Sequence, residues 1–293
     1  MPSDTSSSQI PIVASLKSLI NKRSALLVDI WGVMHNGVRP FLAAAEACAC
    51  FRNSGGTVLL LSNSPRPTPS VLRQLEAVGV PSSAFDSVLT SGDTALLLIE
   101  KSAKRGQKLA HIGPERDLGL FSGIHEKLVP LKAAHTVVCS GLFDDETEGP
   151  ENYTEMLSEL ASRRVPMICA NPDIMVERGG RIIYCAGAVA KAYEAHGGVV
   201  DYVGKPYLPI YKLAFERLAK LRNIKEIPSS EVLAIGDGVG TDIEGAHVAG
   251  IDAVFIASGL HADARRGLDR ELLEKLFSKS PNRPIAAMQE LKW

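Results

Sequence analysis

Apolar residues fall along this chain in short unbroken runs: ALLVDI (25–30), TVLLLS (57–62), KLAHIG (108–113), HTVVCS (135–140), PMICA (166–170), EVLAIGD (231–237) and AVFIAS (253–258). The runs are continuous rather than alternating, which is the pattern of strands in a sheet covered on both faces. They therefore predict buried strands of a parallel sheet. Helical periodicity fills the spaces between them. In PSVLRQLEAVG (69–79), Val71, Leu72, Leu75 and Val78 fall on one face and Gly79 supplies a stop. Ile210, Leu213, Ala214, Leu218 and Leu221 make a second apolar face after Pro209. Strand and helix in alternation predict an α/β fold, a parallel sheet with helices on both faces and right-handed crossovers.

The loops suggest how the chain divides. GLFDDETEGPENY (141–153) is acidic and rich in turn residues, and VERGGRIIY (176–184) holds a Gly-Gly pair ahead of another helix. Both lie in the middle third, whereas the loops with the most chemistry lie in the first 70 residues and after residue 203. A core domain interrupted by an inserted middle segment is the simplest arrangement. No internal repeat is strong enough to name. The 293 residues suffice for one large or two modest domains, each with its own core.

Formal net charge is −1, which gives no field to attract nucleic acid or an anionic membrane. No apolar run approaches the roughly 18 residues of a membrane span. The opening MPSDTSSSQIPIV lacks the basic-then-apolar order of a secretory signal and reads as a disordered tail. Cys48, Cys50, Cys139, Cys169 and Cys185 form no CxxC pair, and four of them lie in apolar or alanine-rich surroundings. That is the habit of reduced, buried thiols and points to a cytoplasmic protein. Cys185, in YCAGA, is expected in the core rather than at a site.

In an open parallel sheet, ligands gather beyond the carboxyl ends of the strands. Asp29 follows ALLV at such an end, where a turn or cap role competes with that of a nucleophile. Ser62, Asn63 and Ser64 follow TVLLL and precede a proline-rich helix start; they suit a phosphate, and plain N-capping equally well. Lys205, between Gly204 and Pro206 just before a helix, is a candidate cation for phosphate oxygens. AIGDGVGTDIEGAHVAGID carries the most information. Asp237 ends a strand, a glycine loop follows, and Thr241-Asp242 opens a helix closed by Gly250. Two carboxylates five residues apart across that loop make a good site for a hard cation such as Mg²⁺.

Taken in order, DIWGV (29–33), LLLSNS (59–64), GKP (204–206) and GDGVGTD (236–242) resemble the four sequential motifs of the haloacid dehalogenase (HAD) superfamily of aspartate-nucleophile hydrolases. The long gap between the serine and lysine motifs is where the class IIA branch inserts a large α/β cap. That branch includes nitrophenylphosphatase-like and nucleotide or sugar phosphatases. ANPDIMV (170–176), CAGAVAKAYEAHGG (185–198) and SGL (258–260) resemble it as well. The resemblance covers about residue 10 to the C-terminus. It implies a Rossmann-like core over 10–88 and 201–293, an α/β cap over 89–200, and a tail over 1–9. Residue by residue, it implies an Asp29 nucleophile that forms an aspartyl-phosphate. Asp29, Asp237 and the Trp31 carbonyl would hold Mg²⁺, with Asp242 in the outer shell. Ser62, Lys205 and the N–H of Asn63 would bind the phosphoryl group. The implied substrates are small phosphorylated metabolites such as sugar phosphates or nucleotides, and the implied assembly is a homodimer paired through the caps.

One residue departs from the pattern. The family's phosphatases carry a second aspartate two residues after the nucleophile, which protonates the leaving group; here that place holds Trp31. An indole cannot do this near neutral pH, and general acid–base help is worth about 10²–10⁴-fold. Slow turnover of alkyl phosphates and better turnover of good leaving groups are therefore expected. His35, and Asp173 or Glu177 in the cap, are candidate substitutes. For His35 and Asp173, packing or turn-stabilising roles compete with that reading. Trp31 also keeps two other readings open: a metal-independent dehalogenase, or a phosphate-binding protein with little turnover.

Overall fold

The computed structural model describes residues 9–178, 181–257 and 267–293, without the side chains of Glu177 and Arg178. The expected tail, except for Gln9, and the SGL segment lie outside the described residues. The strands are β1 (Ala25–Asp29), β2 (Thr57–Ser62), β3 (Ser87–Thr90), β4 (Leu109–Ile112), β5 (Thr136–Cys139), β6 (Met167–Cys169), β7 (Met175–Arg178), β8 (Arg181–Tyr184), β9 (Val200–Tyr202), β10 (Val232–Gly236), β11 (Asp252–Ile256) and β12 (Ala286–Met288). The helices are α1 (Leu42–Asn53), α2 (Thr68–Val78), α3 (Ser91–Lys104), α4 (Thr154–Ser162), α5 (Ala186–Ala195), α6 (Leu208–Leu221), α7 (Glu244–Val248) and α8 (Arg270–Leu276).

Each apolar run named above forms a strand. A six-stranded sheet has the order β12-β11-β10-β1-β2-β3, with every neighbouring pair parallel. A second, four-stranded sheet has the order β4-β5-β6-β9, also parallel. Period-two alternation sends successive residues of β1 to opposite faces. Leu26 and Val28 join a core with Phe51 of α1 and Val71 and Leu75 of α2. Ala25 and Leu27 pack instead with Ile210, Ala214 and Leu218 of α6. The second sheet is sandwiched in the same way, between α4 and α5 on one side and α3 on the other.

The helix faces are narrower than their periodicity suggests: Leu72 and Leu221 are exposed, and Tyr211 joins the buried face of α6. The segment 176–184, marked in the sequence by a Gly-Gly pair ahead of a helix, carries β8 and most of β7, which pair antiparallel. Their ladder runs from Met175↔Tyr184 to Arg178↔Arg181. Only Ile183 of β8 is buried, so a search for continuous apolar runs passes over it. The strands β3, β9 and β12 lie outside the apolar runs named above.

Two crossings join the sheets, and both meet the carboxyl end of β2. The chain leaves β3 directly into α3, where Thr90 and Asp93 form a reciprocal capping box. Beside it, Gly92 N–H donates to Ser64 O at 3.0 Å. The chain returns from β9, part of the second sheet, through Val203 and Gly204 to Lys205, whose N–H donates to Asn63 Oδ1 at 2.7 Å. Among the described residues, no helix is long and apolar enough to cross a membrane.

Candidate active site

β1 and β10 are neighbours in the six-stranded sheet, so Asp29 and Asp237 emerge side by side at their carboxyl ends. Alternation along β1 puts Asp29 on the face of Ala25 and Leu27, toward α6. Lys205, three residues ahead of α6, reaches the same place. Its buried ammonium donates to Asp29 Oδ1, to Asp242 Oδ1 at 2.8 Å and to the Leu61 carbonyl at 3.2 Å. All three of its protons are used. Asp242 turns its other oxygen back on its own loop, accepting from Gly238 N–H at 3.1 Å.

Oxygens of Asp29, Asp237 and Asp242 all lie within 4.8 Å of one another. One lysine against three carboxylates leaves an excess of negative charge in a buried place, which a divalent cation would relieve. An all-oxygen donor set of this size suits Mg²⁺ or Ca²⁺. Without a cation, burial pushes the Asp29 carboxyl up to about 7; Lys205 opposes the rise and Asp242 adds to it. Burial alone would drive the Lys205 ammonium toward neutrality, but Asp242 and Asp29 outweigh it and hold the group charged, well above the ordinary lysine value.

Asn63 ties the two sheets together. Its Oδ1 accepts from Lys205 N–H, and its Nδ2 donates to Lys205 O at 3.0 Å and to Asp173 Oδ1 at 2.8 Å. Asp173 follows β6 in the second sheet and sits against the first. Ser62 is buried at the end of β2, and its hydroxyl accepts from Ser64 N–H at 3.1 Å.

The Trp31 ring packs edge-on to His35, with centroids 5.2 Å apart. It also covers Gly37, where a Cβ would lie 2.3 Å from the indole. His35 is buried, and burial lowers its imidazole to about 4, so it is neutral near pH 7. Its Nδ1 accepts from Gly37 N–H at 2.9 Å, which puts the ring proton on Nε2.

These residues share one cleft of about 820 Å³. It is lined by Asp29, Trp31, His35, Ser62, Asn63, Asp173, Lys205, Asp237 and Asp242. Glu177 is on β7, and its side chain lies outside the described residues.

A family model described as haloacid dehalogenase-like hydrolase matches residues 26–124, and a second, HAD-hydrolase-like, matches residues 202–274. The crystal structure of a hydrolase of the haloacid dehalogenase-like family from Brucella suis is 42% identical. It covers 95% of this chain and 99% of its own, with a TM-score of 0.84. The chain is a haloacid dehalogenase-like hydrolase.

More distant relatives of this HAD hydrolase include an acid sugar phosphatase of Staphylococcus epidermidis, 24% identical over 80% of this chain and 87% of that one. A 5'-nucleotidase of Bacillus subtilis is 25% identical over the same shares. The HAD hydrolase also has cleft residues that its motifs do not reveal. Asp117, Ser140, Asp145, Tyr184 and Lys191 line the cleft from the second sheet and its connections. No local signal marks them, because they come from separate segments that only the fold gathers. Cys185, expected in the core, is buried as expected and also lines the cleft.

Proposed function

We propose that this HAD hydrolase is a Mg²⁺-dependent phosphatase of small phosphorylated metabolites, with Asp29 as nucleophile. The observation that carries the reading is the convergence of Asp29, Asp237, Asp242 and Lys205 at one end of the cleft. The sugar phosphatase and nucleotidase relatives support the substrate class. Asp29, Asp237 and the Trp31 carbonyl would hold the cation, with Asp242 behind them, and a bound cation would supply charge neutralisation to the phosphoryl oxygens.

Lys205 takes Asp29 Oδ1 and so leaves Oδ2 as the oxygen to attack phosphorus. Attack forms the aspartyl-phosphate and expels the alcohol, splitting one difficult displacement into two. Lys205, exchanging its contact with the Leu61 carbonyl for a phosphoryl oxygen, and Ser62 would hold the phosphoryl group as it transfers, since the reaction is mainly positioning and electrostatics. A dehalogenase that works without metal would suit Trp31 but gives three converging carboxylates no task.

The test is release of nitrophenol from p-nitrophenyl phosphate, with and without Mg²⁺, by wild type and Asp29→Asn. Metal-dependent release that falls below detection in the variant is the expected result. No release from folded, Mg²⁺-supplied protein overturns the reading and leaves dehalogenation or binding without turnover.

A further inference from the structure

We propose that Asp173 gives the leaving group the proton that position 31, a tryptophan here, has no side chain to supply. This rests on the phosphatase reading above and names a further catalytic residue within it.

The hydrogen bonds around Asp173 fix which oxygen is available. Asn63 Oδ1 accepts from the Lys205 backbone N–H, so the amide of Asn63 is oriented and Nδ2 must face Asp173 Oδ1. A donor facing Oδ1 leaves Oδ2 as the oxygen that carries a proton. The residue is also held still. Its N–H donates to Asn171 Oδ1 at 3.0 Å, and its carbonyl accepts from Gly187 N–H at 3.1 Å. It lines the cleft with part of its surface open to it.

The other acids of the cleft serve less well. His35 is neutral, with its Nδ1 taken by Gly37 N–H. Asp117 is a buried carboxyl on the same cleft, but the charges around it are Arg116, Arg66 and Asp145, and its side chain bonds Ser140. Asp173 instead lies within electrostatic range of Asp29, Lys205 and Asp242. Burial raises its carboxyl, opposed by Asn63 and Lys205 and reinforced by Asp242, which favours the protonated form that a donor needs.

Asp29 forms a bond to phosphorus while the bond from phosphorus to the ester oxygen breaks. That oxygen takes the electron pair and the Asp173 proton, and the alcohol leaves. The Asp173 carboxylate then takes a proton from water as its oxygen attacks phosphorus. The bond to Asp29 breaks, phosphate leaves, and both carboxyl groups return to their starting states.

The experiment compares kcat/KM for p-nitrophenyl phosphate and phenyl phosphate in wild type, Asp173→Asn and Asp117→Asn, with Mg²⁺. The first leaving group needs little protonation; phenol, with a pKa of about 10, needs it. The asparagine keeps an oxygen to accept from Asn63, so the contact between the sheets persists and only the proton is lost. Asp173→Asn is expected to stay within a few-fold of wild type on p-nitrophenyl phosphate and to fall about 100-fold on phenyl phosphate. The alkaline fall in the wild-type phenyl phosphate pH profile is expected to disappear in it. Asp117→Asn is expected to keep the wild-type ratio, and Mn²⁺ binding followed by electron paramagnetic resonance is expected to be equal in all three.

An equal fall on both esters, or none on either, overturns the proposal: the first would make Asp173 a structural tie, the second a bystander. Wild type inactive on both esters would instead overturn the phosphatase reading itself.

Discussion

His35 shows what a single position can hide. In the sequence it is a loop histidine six residues after Asp29, a candidate acid but more readily a packed ring. In the structure it is covered by Trp31, bonded through Nδ1 to Gly37 N–H, and lowered by burial to about 4. In the unfolded chain it would titrate near 6.5. The unfolded state therefore binds the extra proton first, and stability is lost as pH falls from about 6.5 to about 4. His111 is lowered in the same way by burial, so the informative quantity is a difference. Between pH 7 and pH 5, wild type is expected to lose about 2 kcal/mol more stability than His35→Asn, measured by urea unfolding. Equal losses would mean that His35 is not held neutral. Trp31 was legible as a departure from the motif, but that its indole covers Gly37 and packs edge-on to His35 was not, because those contacts depend on how the loop folds.

At the scale of the element, α5 positions the loop that carries Asp173. Gly187 N–H donates to Asp173 O, and Cys185 N–H donates to Ile174 O at 2.9 Å, so donors at the start of the helix anchor the loop ahead of β7. The approach is close. A Cβ on Gly187 would lie 2.2 Å from Pro172 O and 2.5 Å from Asp173 O. Those are backbone atoms and cannot swing aside. Gly187→Ala is expected to cost about 1–3 kcal/mol in thermal or denaturant unfolding. By moving the loop, it is also expected to lower turnover of phenyl phosphate more than of p-nitrophenyl phosphate. The sequence marks this segment only by its resemblance to the class IIA branch. The need for glycine comes from the loop it touches.

For the whole molecule, the active site is a property of two sheets meeting. The six-stranded sheet brings Asp29 and Asp237 together, the link into α6 brings Lys205, and the second sheet contributes Asp173 across the seam. Three carboxylates against one lysine should make the free protein respond to cations. Mg²⁺ at about 100 times its Kd is expected to add about 2.7 kcal/mol to stability. At roughly 2–4 °C per kcal/mol, that is a rise of several degrees in Tm. Asp237→Asn is expected to abolish most of the rise, in a melt followed by circular dichroism. A wild-type Tm unchanged by Mg²⁺ would show that the cluster holds no cation.

The sequence by itself determined seven of the buried parallel strands, the order of the active-site loops and the identity of the residues at the strand ends. Buried parallel strands must be apolar throughout, and a polar residue that breaks such a run marks where the strand meets solvent or ligand. Asp29, Ser62 and Asp237 were legible in this way, and Lys205 and Asp242 as polar residues at helix starts. Only the tertiary structure decided that Asn63 faces Lys205 and Asp173, that His35 is buried and neutral, that β7 and β8 pair, and that Asp117 and Lys191 share the cleft. Each depends on the distance between segments far apart in the chain. Hydropathy reports the solvent each residue needs, and it does not report which residue will be beside it.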